Sequence, residues 1–137
     1  MVICKPAGVG GEVPPHQDSE FLYTRPTSAV GFWYALEDAK GGNGALEFVR
    51  GSQGRGVGRR FVRVEGGGTG FVEWEGGQKE VGEDEWEMVE VERGGLVLIH
   101  GGVVHRSEAN RSGRSRFIYT FHVSFPWGWG GGNGRGY

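Results

Sequence analysis

The sequence lacks several features that would place it in common classes of protein. Cys4 is the only cysteine among 137 residues, which excludes an internal disulfide framework and fits a reducing compartment. The formal net charge of −2 gives no reason to expect nucleic acid or an anionic membrane as a partner. No apolar run approaches the ~20 residues that span a bilayer, and residues 1–6 do not resemble a signal peptide. We therefore expect an intracellular, cytoplasmic protein that binds neither nucleic acid nor membrane.

The apolar pattern of an α-helix is also missing, whereas glycine is abundant. Glycine makes up 29 of the 137 residues, against an ordinary share of about 7%. Because glycine inside an element costs backbone entropy, this density disfavours long helices and favours short strands joined by turns. The length suffices for one domain with a core. These features predict an all-β (mainly β) fold, a sandwich or jelly roll rather than a parallel sheet.

Eight short segments combine β-branched, aromatic and alternating apolar residues as strands do. They are residues 2–5, 13–18, 29–36, 46–49, 70–74, 86–92, 96–100 and 116–124. The last of them is rich in aromatic and β-branched residues, which predicts a central strand. We expect a core domain over residues 1–125, within which residues 51–84 form a variable glycine-rich loop region. Residues 126–137 are predicted to be a disordered Gly/Trp-rich tail.

The most informative motif is His16-Gln17-Asp18, which His105 follows about ninety residues later. Side chains at i and i+2 of an extended segment point to the same side, so His16 and Asp18 would aim at one point. Two imidazoles and one carboxylate are the ligand set that holds Fe(II) with open coordination positions. Because an isolated His-x-Asp pattern is common, the surrounding residues must decide whether this one binds metal.

Four ordered stretches of the chain resemble the phytanoyl-CoA dioxygenase family, most closely its domain-containing branch. They read GEVPPHQDSEFLYT from Gly11, GFWYALEDA from Gly31, GALEFVRGS from Gly44, and GGLVLIHGGVVHRSEANRSGRSR from Gly94 to Arg116, after which the resemblance runs to His122. The resemblance covers most of the chain outside the glycine-rich loops and the tail. It implies a double-stranded β-helix, the cupin-like jelly roll of oxygenases that use Fe(II), 2-oxoglutarate and O₂. Members are generally longer and begin with a helical region, so we expect an N-terminally short member with few or no helices.

The resemblance also implies roles for six residues. His16, Asp18 and His105 match the family's iron ligands, and Arg116 matches the arginine that holds the C5 carboxylate of 2-oxoglutarate. Ser107 and Trp33 match positions that line the same cosubstrate. No catalytic residue is expected beyond the metal ligands. Since related halogenases leave the carboxylate position small, the presence of Asp18 favours hydroxylation over halogenation.

Elementary chemistry agrees with these roles. A 2-oxo dicarboxylate that chelates iron leaves its far carboxylate free, and the planar fork of an arginine pairs with a carboxylate in bidentate fashion. Arg116 opens an apolar segment, so we expect it to project from a strand beside the one that bears His105. Ser107 lies two residues after His105 and shares its face if that backbone is extended. The resemblance also implies a cosubstrate lysine from further upstream in the family, and Lys5 lies too close to His16 to be assumed to replace it.

Alternatives exist for several of these positions. His100 is a rival for the distal ligand, but it ends an apolar run and is expected to be hydrogen-bonded at the end of a core strand. His122 lies within a predicted strand and is expected to be a core or supporting histidine. Trp33 fits plain core packing as well as a cosubstrate wall. Arg111 and Arg114 compete with Arg116, but they lie in a polar turn that is expected at the surface.

Two hypotheses of function follow. The first is an Fe(II)/2-oxoglutarate-dependent dioxygenase that hydroxylates a small organic substrate with O₂ and releases succinate and CO₂. The second is a non-catalytic jelly-roll domain that binds the metal and 2-oxoglutarate without turnover. Retention of all three predicted ligands together with Arg116 favours the first. The expected partners are the small-molecule substrate and O₂, and the expected oligomeric state is a monomer or a weak homodimer.

Overall fold

The computed structural model describes residues 1–74 and 80–125. Within them the chain forms ten β-strands and three 3₁₀ helices, and none of these residues is α-helical. The strands are β1 (Val2–Lys5), β2 (Val13–His16), β3 (Val30–Ala35), β4 (Leu46–Val49), β5 (Arg59–Arg63), β6 (Thr69–Glu73), β7 (Trp86–Val89), β8 (Leu96–His100), β9 (His105–Ser107) and β10 (Arg116–Val123). The 3₁₀ helices are Asp18–Glu20, Ser52–Arg55 and Glu83–Glu85.

Two four-stranded antiparallel sheets make up the body of the fold. The first has the strand order β1-β10-β3-β8 and the second β2-β9-β4-β7, and every pairing within them is antiparallel. Strands β5 and β6 pair separately as a two-stranded hairpin. The predicted all-β jelly roll is therefore confirmed. Strand β10 lies inside its sheet, between β1 and β3, as expected of a central strand.

The core lies between the two sheets. Trp33, Ala35, Ile99 and Ile118 of the first sheet pack with Leu46 of the second. Along β3 buried and half-buried residues alternate, because successive side chains of a strand point to opposite faces. The same alternation on β10 turns its first residue, the predicted site arginine, toward the core rather than toward solvent.

The structure corrects several predicted boundaries. Residues 51–70 are not one long loop, because they hold a 3₁₀ helix, β5 and the start of β6. The segment predicted as strand 13–18 ends at His16, and Asp18 begins a 3₁₀ helix. The segment predicted as strand 86–92 ends at Val89, after which Val91 makes an isolated bridge to Ala39.

Part of the predicted loop region (residues 75–79) and the predicted tail (residues 126–137) lie outside the described residues, so the domain limits stay predictions. Among the residues that the structure does describe, no helix is long and apolar enough to cross a membrane.

Candidate metal and carboxylate site

The His16-Gln17-Asp18 motif lies where β2 ends and a 3₁₀ helix begins. Gln17 has extended dihedrals (φ −118°, ψ 131°), so the side chains on either side of it turn the same way even though the strand has ended. The Gln17 amide points elsewhere and donates to the carbonyl oxygens of Gly56 (2.9 Å) and Gly102 (2.6 Å). The i, i+2 prediction is thus confirmed, and the middle residue fastens the motif to two loops.

The turn that bears Asp18 is held tightly against the loop after β8. The Ser19 amide donates to the Gly101 carbonyl (2.9 Å), and the Gly101 amide donates to the Ala29 carbonyl (2.7 Å). A Cβ at residue 101 would lie 2.4 Å from Ser19 Oγ and 2.8 Å from the Ala29 carbonyl oxygen. Only glycine permits this close approach of the two backbones. On the other side of the turn, Arg59 pairs with the buried Glu20 carboxylate at 2.8 Å.

His105 completes a cluster with the motif. It opens β9, and its Cα pairs in register with that of His16 on β2. The Nε2 atoms of His16 and His105 lie 3.7 and 3.8 Å from Asp18 Oδ1. One ligand atom from each of the three residues lies within 4.8 Å of the others, a spacing that a single metal ion could bridge. Asp18 and His105 are buried, and His16 is half-buried.

Backbone carbonyls fix which nitrogen of each ring faces the cluster. His16 Nδ1 lies 2.9 Å from the Pro14 carbonyl oxygen, and His105 Nδ1 lies 3.1 Å from that of Val103. A carbonyl only accepts, so each of these hydrogen bonds requires the proton on Nδ1. In the neutral ring Nε2 then keeps its lone pair, which is the state that a metal ligand needs.

The pKa shifts of His105 and Asp18 favour the protonation states of metal ligands, whereas the shift of His16 opposes the neutral ring. Burial and the neighbouring His16 lower the pKa of His105 to about 4, so this ring is neutral near pH 7. Burial opposes ionisation of Asp18, but contact with His16 and the charges of His105 and His122 outweigh it and lower the pKa of the carboxyl. Burial acts against a charge on His16 as well. Its contacts with Asp18 and the Pro14 carbonyl prevail and raise the pKa of this ring.

One oxygen of Asp18 is left without a hydrogen bond. Asp18 Oδ2 is buried and accepts none from the described residues. His122 Nε2 lies 3.0 Å from it, but the ring N–H is not aligned to donate. Gly31 lies opposite His122 across β3 and β10, and a Cβ there would come within 3.2 Å of Oδ2. A buried carboxylate with an unmet oxygen, beside two imidazoles with free lone pairs, fits a metal cation.

Arg116 lies across the core from this cluster. It is the first residue of β10, is 2% exposed, and donates from Nε to the Gly44 carbonyl (3.0 Å) and from Nη2 to Ser107 Oγ (2.9 Å). No carboxylate of the described residues pairs with it, and burial lowers its pKa to about 10. The expectation that its strand neighbours the one bearing His105 was wrong. The two strands belong to opposite sheets. Arg116 nevertheless reaches Ser107 of β9, because the alternation along β10 turns its side chain inward across the core.

Lys5 is a functional candidate that the sequence analysis left unassigned. Its Nζ donates to Ser107 Oγ (2.6 Å), to the Ser107 carbonyl (3.0 Å) and to the Glu108 carbonyl. Burial and the charge of Arg116 lower the pKa of Lys5 to about 8. The contact spans more than a hundred residues of sequence and joins β1 of one sheet to β9 of the other, so only the folded structure reveals it.

A cavity of about 160 Å³ joins the two groups of side chains. His16, Asp18 and His105 line it, and so do Trp33 and Arg116. Ser107 and His122 also face it. A wider and more open groove of about 650 Å³ runs elsewhere on the surface, and no residue of the His-Asp-His cluster lines it. The smaller cavity is therefore the candidate site.

The structure brings all six sequence-predicted site residues to this cavity. Trp33 belongs to the core and also lines the cavity, with its ring 5.7 Å from Arg116 Cζ, which leaves both interpretations of it open. Of the rivals, His100 accepts a hydrogen bond from the Gly102 amide and is not part of the cluster. Arg111 and Arg114 are exposed, as expected. The roles of the six residues as ligands and cosubstrate contacts stay predictions.

Comparison with known proteins agrees with the geometry. Residues 1–118 match the family model described as phytanoyl-CoA dioxygenase (PhyH). A phytanoyl-CoA dioxygenase domain-containing protein 1 from Danio rerio is 49% identical over 124 residues, which are 90% of this chain and 43% of that protein. A phytanoyl-CoA dioxygenase from Arabidopsis thaliana is 40% identical over 123 residues, 90% of this chain and 42% of that protein. The chain thus spans less than half the length of these two relatives.

Solved structures show the same fold. The non-heme monooxygenase ThoJ in its apo form matches 90% of this chain and 44% of its own, with a TM-score of 0.66 and 23% identity. EvdO2 from Micromonospora carbonacea var. aurantiaca, complexed with 2-oxoglutarate, matches 90% of this chain and 51% of its own, with a TM-score of 0.65 and 19% identity. Together with its family-model match and its sequence relatives, this shows that the chain belongs to the phytanoyl-CoA dioxygenase (PhyH) family.

Proposed function

We propose that the protein is an Fe(II)- and 2-oxoglutarate-dependent dioxygenase that hydroxylates a C–H bond of a small organic substrate. One observation carries the proposal. One cavity has an imidazole-carboxylate cluster at one end and, at the other, a buried guanidinium that pairs with no carboxylate of the described residues. A metal ion chelated by the 2-oxo acid group of 2-oxoglutarate, with the far carboxylate on the arginine, would satisfy both ends at once.

The three cluster residues would hold the metal. His16 and His105 offer Nε2, and Asp18 offers Oδ1, the three atoms that already converge. When bound, Fe(II) with 2-oxoglutarate and O₂ would supply the oxidation that converts R–H to R–OH and releases succinate and CO₂. The hydrogen bonds from Nδ1 to backbone carbonyls keep both rings oriented, and burial keeps His105 neutral and available as a ligand.

The arginine end would hold the cosubstrate. Arg116 projects from the start of β10 and is braced by Gly44 and Ser107, so its position is fixed before any ligand arrives. The Trp33 ring would wall the cosubstrate chain and exclude water, since it is almost fully buried and faces the cavity. Its side chain has no titratable group, so its part would be shape and dryness.

The test is anaerobic addition of Fe(II) and 2-oxoglutarate followed by O₂, with succinate measured against time. We expect succinate release from the wild-type chain, including slow uncoupled release without a substrate, and none from Asp18→Ala. The exposed carboxylate of Asp84 offers a matched control, because Asp84→Ala removes an acid that is not part of the cluster. A wild-type protein that binds no metal would contradict the proposal.

A second function shares the same site. The chain spans less than half the length of the Danio rerio and Arabidopsis thaliana relatives, so a jelly-roll domain that binds metal and 2-oxoglutarate without turnover is the competing hypothesis. It predicts that the wild-type chain binds both ligands yet releases no succinate after O₂ is added. Binding and release measured on one sample therefore separate the two functions.

A further inference from the structure

Two cations lie directly opposite each other in the interior of the first sheet. Lys5 and Arg116 are Cα partners in the antiparallel pairing of β1 with β10, and each is only 2% exposed. Like charges that face each other across strands are destabilising, and a buried charge without a counterion is costly. No carboxylate of the described residues makes an ion pair with either one. The fold thus places two positive charges side by side next to the cavity, and only the more distant carboxylates of Glu108 and Glu12 act on the Lys5 charge.

Two glycines provide the space that the Lys5 side chain occupies. A Cβ at Gly10 would lie 2.5 Å from Lys5 Cβ, and a Cβ at Gly44 would lie 2.8 Å from Lys5 Cδ. Gly44 also has a left-handed backbone (φ +92°), which favours glycine there for a second reason. Asn110 donates from Nδ2 to the Lys5 carbonyl at 2.8 Å and fixes the strand end. The path of the lysine side chain is therefore set by its surroundings.

The ammonium reaches the site through Ser107. An ammonium has three N–H donors, and Lys5 uses them on Ser107 Oγ, the Ser107 carbonyl and the Glu108 carbonyl. No donor remains for a ligand. Ser107 Oγ accepts from both Lys5 and Arg116 and donates to the Gly44 carbonyl at 3.0 Å. One hydroxyl oxygen thus joins the two cations and fixes where the guanidinium points.

We propose that Lys5 is a positioning and specificity residue of this site, whose buried charge makes the arginine end select a full carboxylate. It would do so without touching the ligand, by adding a second positive charge next to Arg116 and by fixing Ser107. The inference rests on the proposed function, because the selected carboxylate would be the far group of 2-oxoglutarate. A neutral tail in its place would leave two adjacent buried cations without a counterion.

A purely structural role predicts a different result. If Lys5 only links β1 to β9 through its hydrogen bonds, its removal would lower the stability of the fold and weaken every ligand alike. If it is a receptor charge, its removal relieves repulsion in the free protein and weakens only ligands that carry the far carboxylate. Stability and ligand selectivity therefore separate the two roles.

The experiment compares the wild type with Lys5→Met and Lys5→Gln, with Lys40→Met as the control. Lys40 is a half-exposed lysine that pairs with Glu90, away from the cavity. Calorimetry in the presence of Zn(II) would give the affinities of 2-oxoglutarate and of 2-oxopentanoate, which has the same chelating group but no far carboxylate. We expect both Lys5 variants to weaken 2-oxoglutarate by about 10- to 50-fold and 2-oxopentanoate by less than about threefold. Affinity for Zn(II) would stay near wild type, the thermal midpoint would not fall, and Lys40→Met would change nothing.

Three outcomes would overturn the proposal. Lys5 variants that bind 2-oxoglutarate as the wild type does would show that the charge is not used. Variants that lose both 2-oxo acids equally, or that fail to fold, would show a structural role. In either case a wild type that binds Zn(II) and 2-oxoglutarate would still support the proposed function. A wild type that binds Zn(II) but neither 2-oxo acid would instead overturn the proposed function, and the inference with it.

Discussion

The two ends of the cavity are opposite in charge and incomplete in opposite ways. At the cluster end, Asp18 keeps a buried oxygen without a hydrogen bond, beside two imidazoles whose Nε2 atoms converge on its partner oxygen. At the other end, Lys5 and Arg116 are buried and pair with no carboxylate in the part of the chain that the structure describes, and burial lowers the pKa of both. Each end lacks the charge that its ligand would bring. The contrast indicates one site for a cation and an anion bound together.

The two ends also differ in how the chain builds them. Two of the three cluster residues come from one local motif, which an extended Gln17 and the close contact at Gly101 hold in place. The cation end depends on strand register, since Lys5 and Arg116 meet only because β1 and β10 pair across the sheet. Substitutions in the His16–Asp18 turn should therefore impair the cluster end, whereas substitutions that remove a positive charge should impair the cation end.

The largest expected effect is on metal binding. Asp18→Ala removes the carboxylate that both histidines face, so we expect affinity for Zn(II) or Fe(II) to fall by at least about 1,000-fold, more than the 10- to 100-fold typical of a supporting partner. Competition with a chelator of known affinity measures it. Asp84→Ala should bind metal as the wild type does. Comparable metal binding by Asp18→Ala would exclude the cluster as the metal site.

The next effect is on the anion end. Arg116→Met should weaken 2-oxoglutarate by about 100-fold, because truncating one partner of a buried charge pair costs about 2–5 kcal/mol. Affinity for the metal should be unchanged, since Arg116 makes no contact with the cluster. Calorimetry checks both, with the exposed Arg114→Met as control. Loss of metal binding in Arg116→Met would mean that the two ends are not separable.

A third prediction concerns the backbone contact that places Asp18. Gly101→Ala would push a Cβ against Ser19 and Ala29, so the free energy of unfolding should fall by about 2–3 kcal/mol. Urea unfolding measures it. Gly113→Ala is the matched control, because nothing lies within 4 Å of a Cβ there. Equal stability of the two variants would mean that the turn at Asp18 is free to shift.

The smallest effect is a pH dependence of stability. The pKa of Lys5 is lowered from 10.5 to about 8 in the folded chain, so the unfolded chain binds more protons between these values. The free energy of unfolding should therefore rise with pH across that window, more steeply in the wild type than in Lys5→Met. Below pH 8 the full cost of the buried charge is present in the wild type. Parallel pH profiles for the two proteins would contradict the assigned cause.

Much of the fold could be predicted because its signals are local. Residues 2–5, 46–49 and 96–100 were predicted as strands and have the same limits in the structure, since each is a compact run of β-forming residues. Strand β9 was missed because three residues are too few to show a period. Strand β5 was missed because its arginines and the flanking glycines read as a loop. Both strands were missed because their sequences lack the pattern by which a strand is recognised.

The site divides in the same way. His16 and Asp18 could be predicted to converge because side chains two residues apart in an extended backbone point to the same side. Arg116 was identified through its place in a motif shared with the family. Lys5 could not be assigned, because its proximity to His16 in sequence says nothing about its distance from Ser107 in space. Contacts set by sheet register are invisible to a pattern read along one chain.

The most direct test of the two-ended site is the dependence of 2-oxoglutarate binding on metal. Titration of 2-oxoglutarate into the wild-type chain by calorimetry, anaerobically with Fe(II) and again without metal, uses both ends in one measurement. We predict one binding site with metal present and an affinity at least about tenfold weaker without it, with the difference lost in Asp18→Ala. Equal affinity with and without metal, or no binding in either case, would contradict the account.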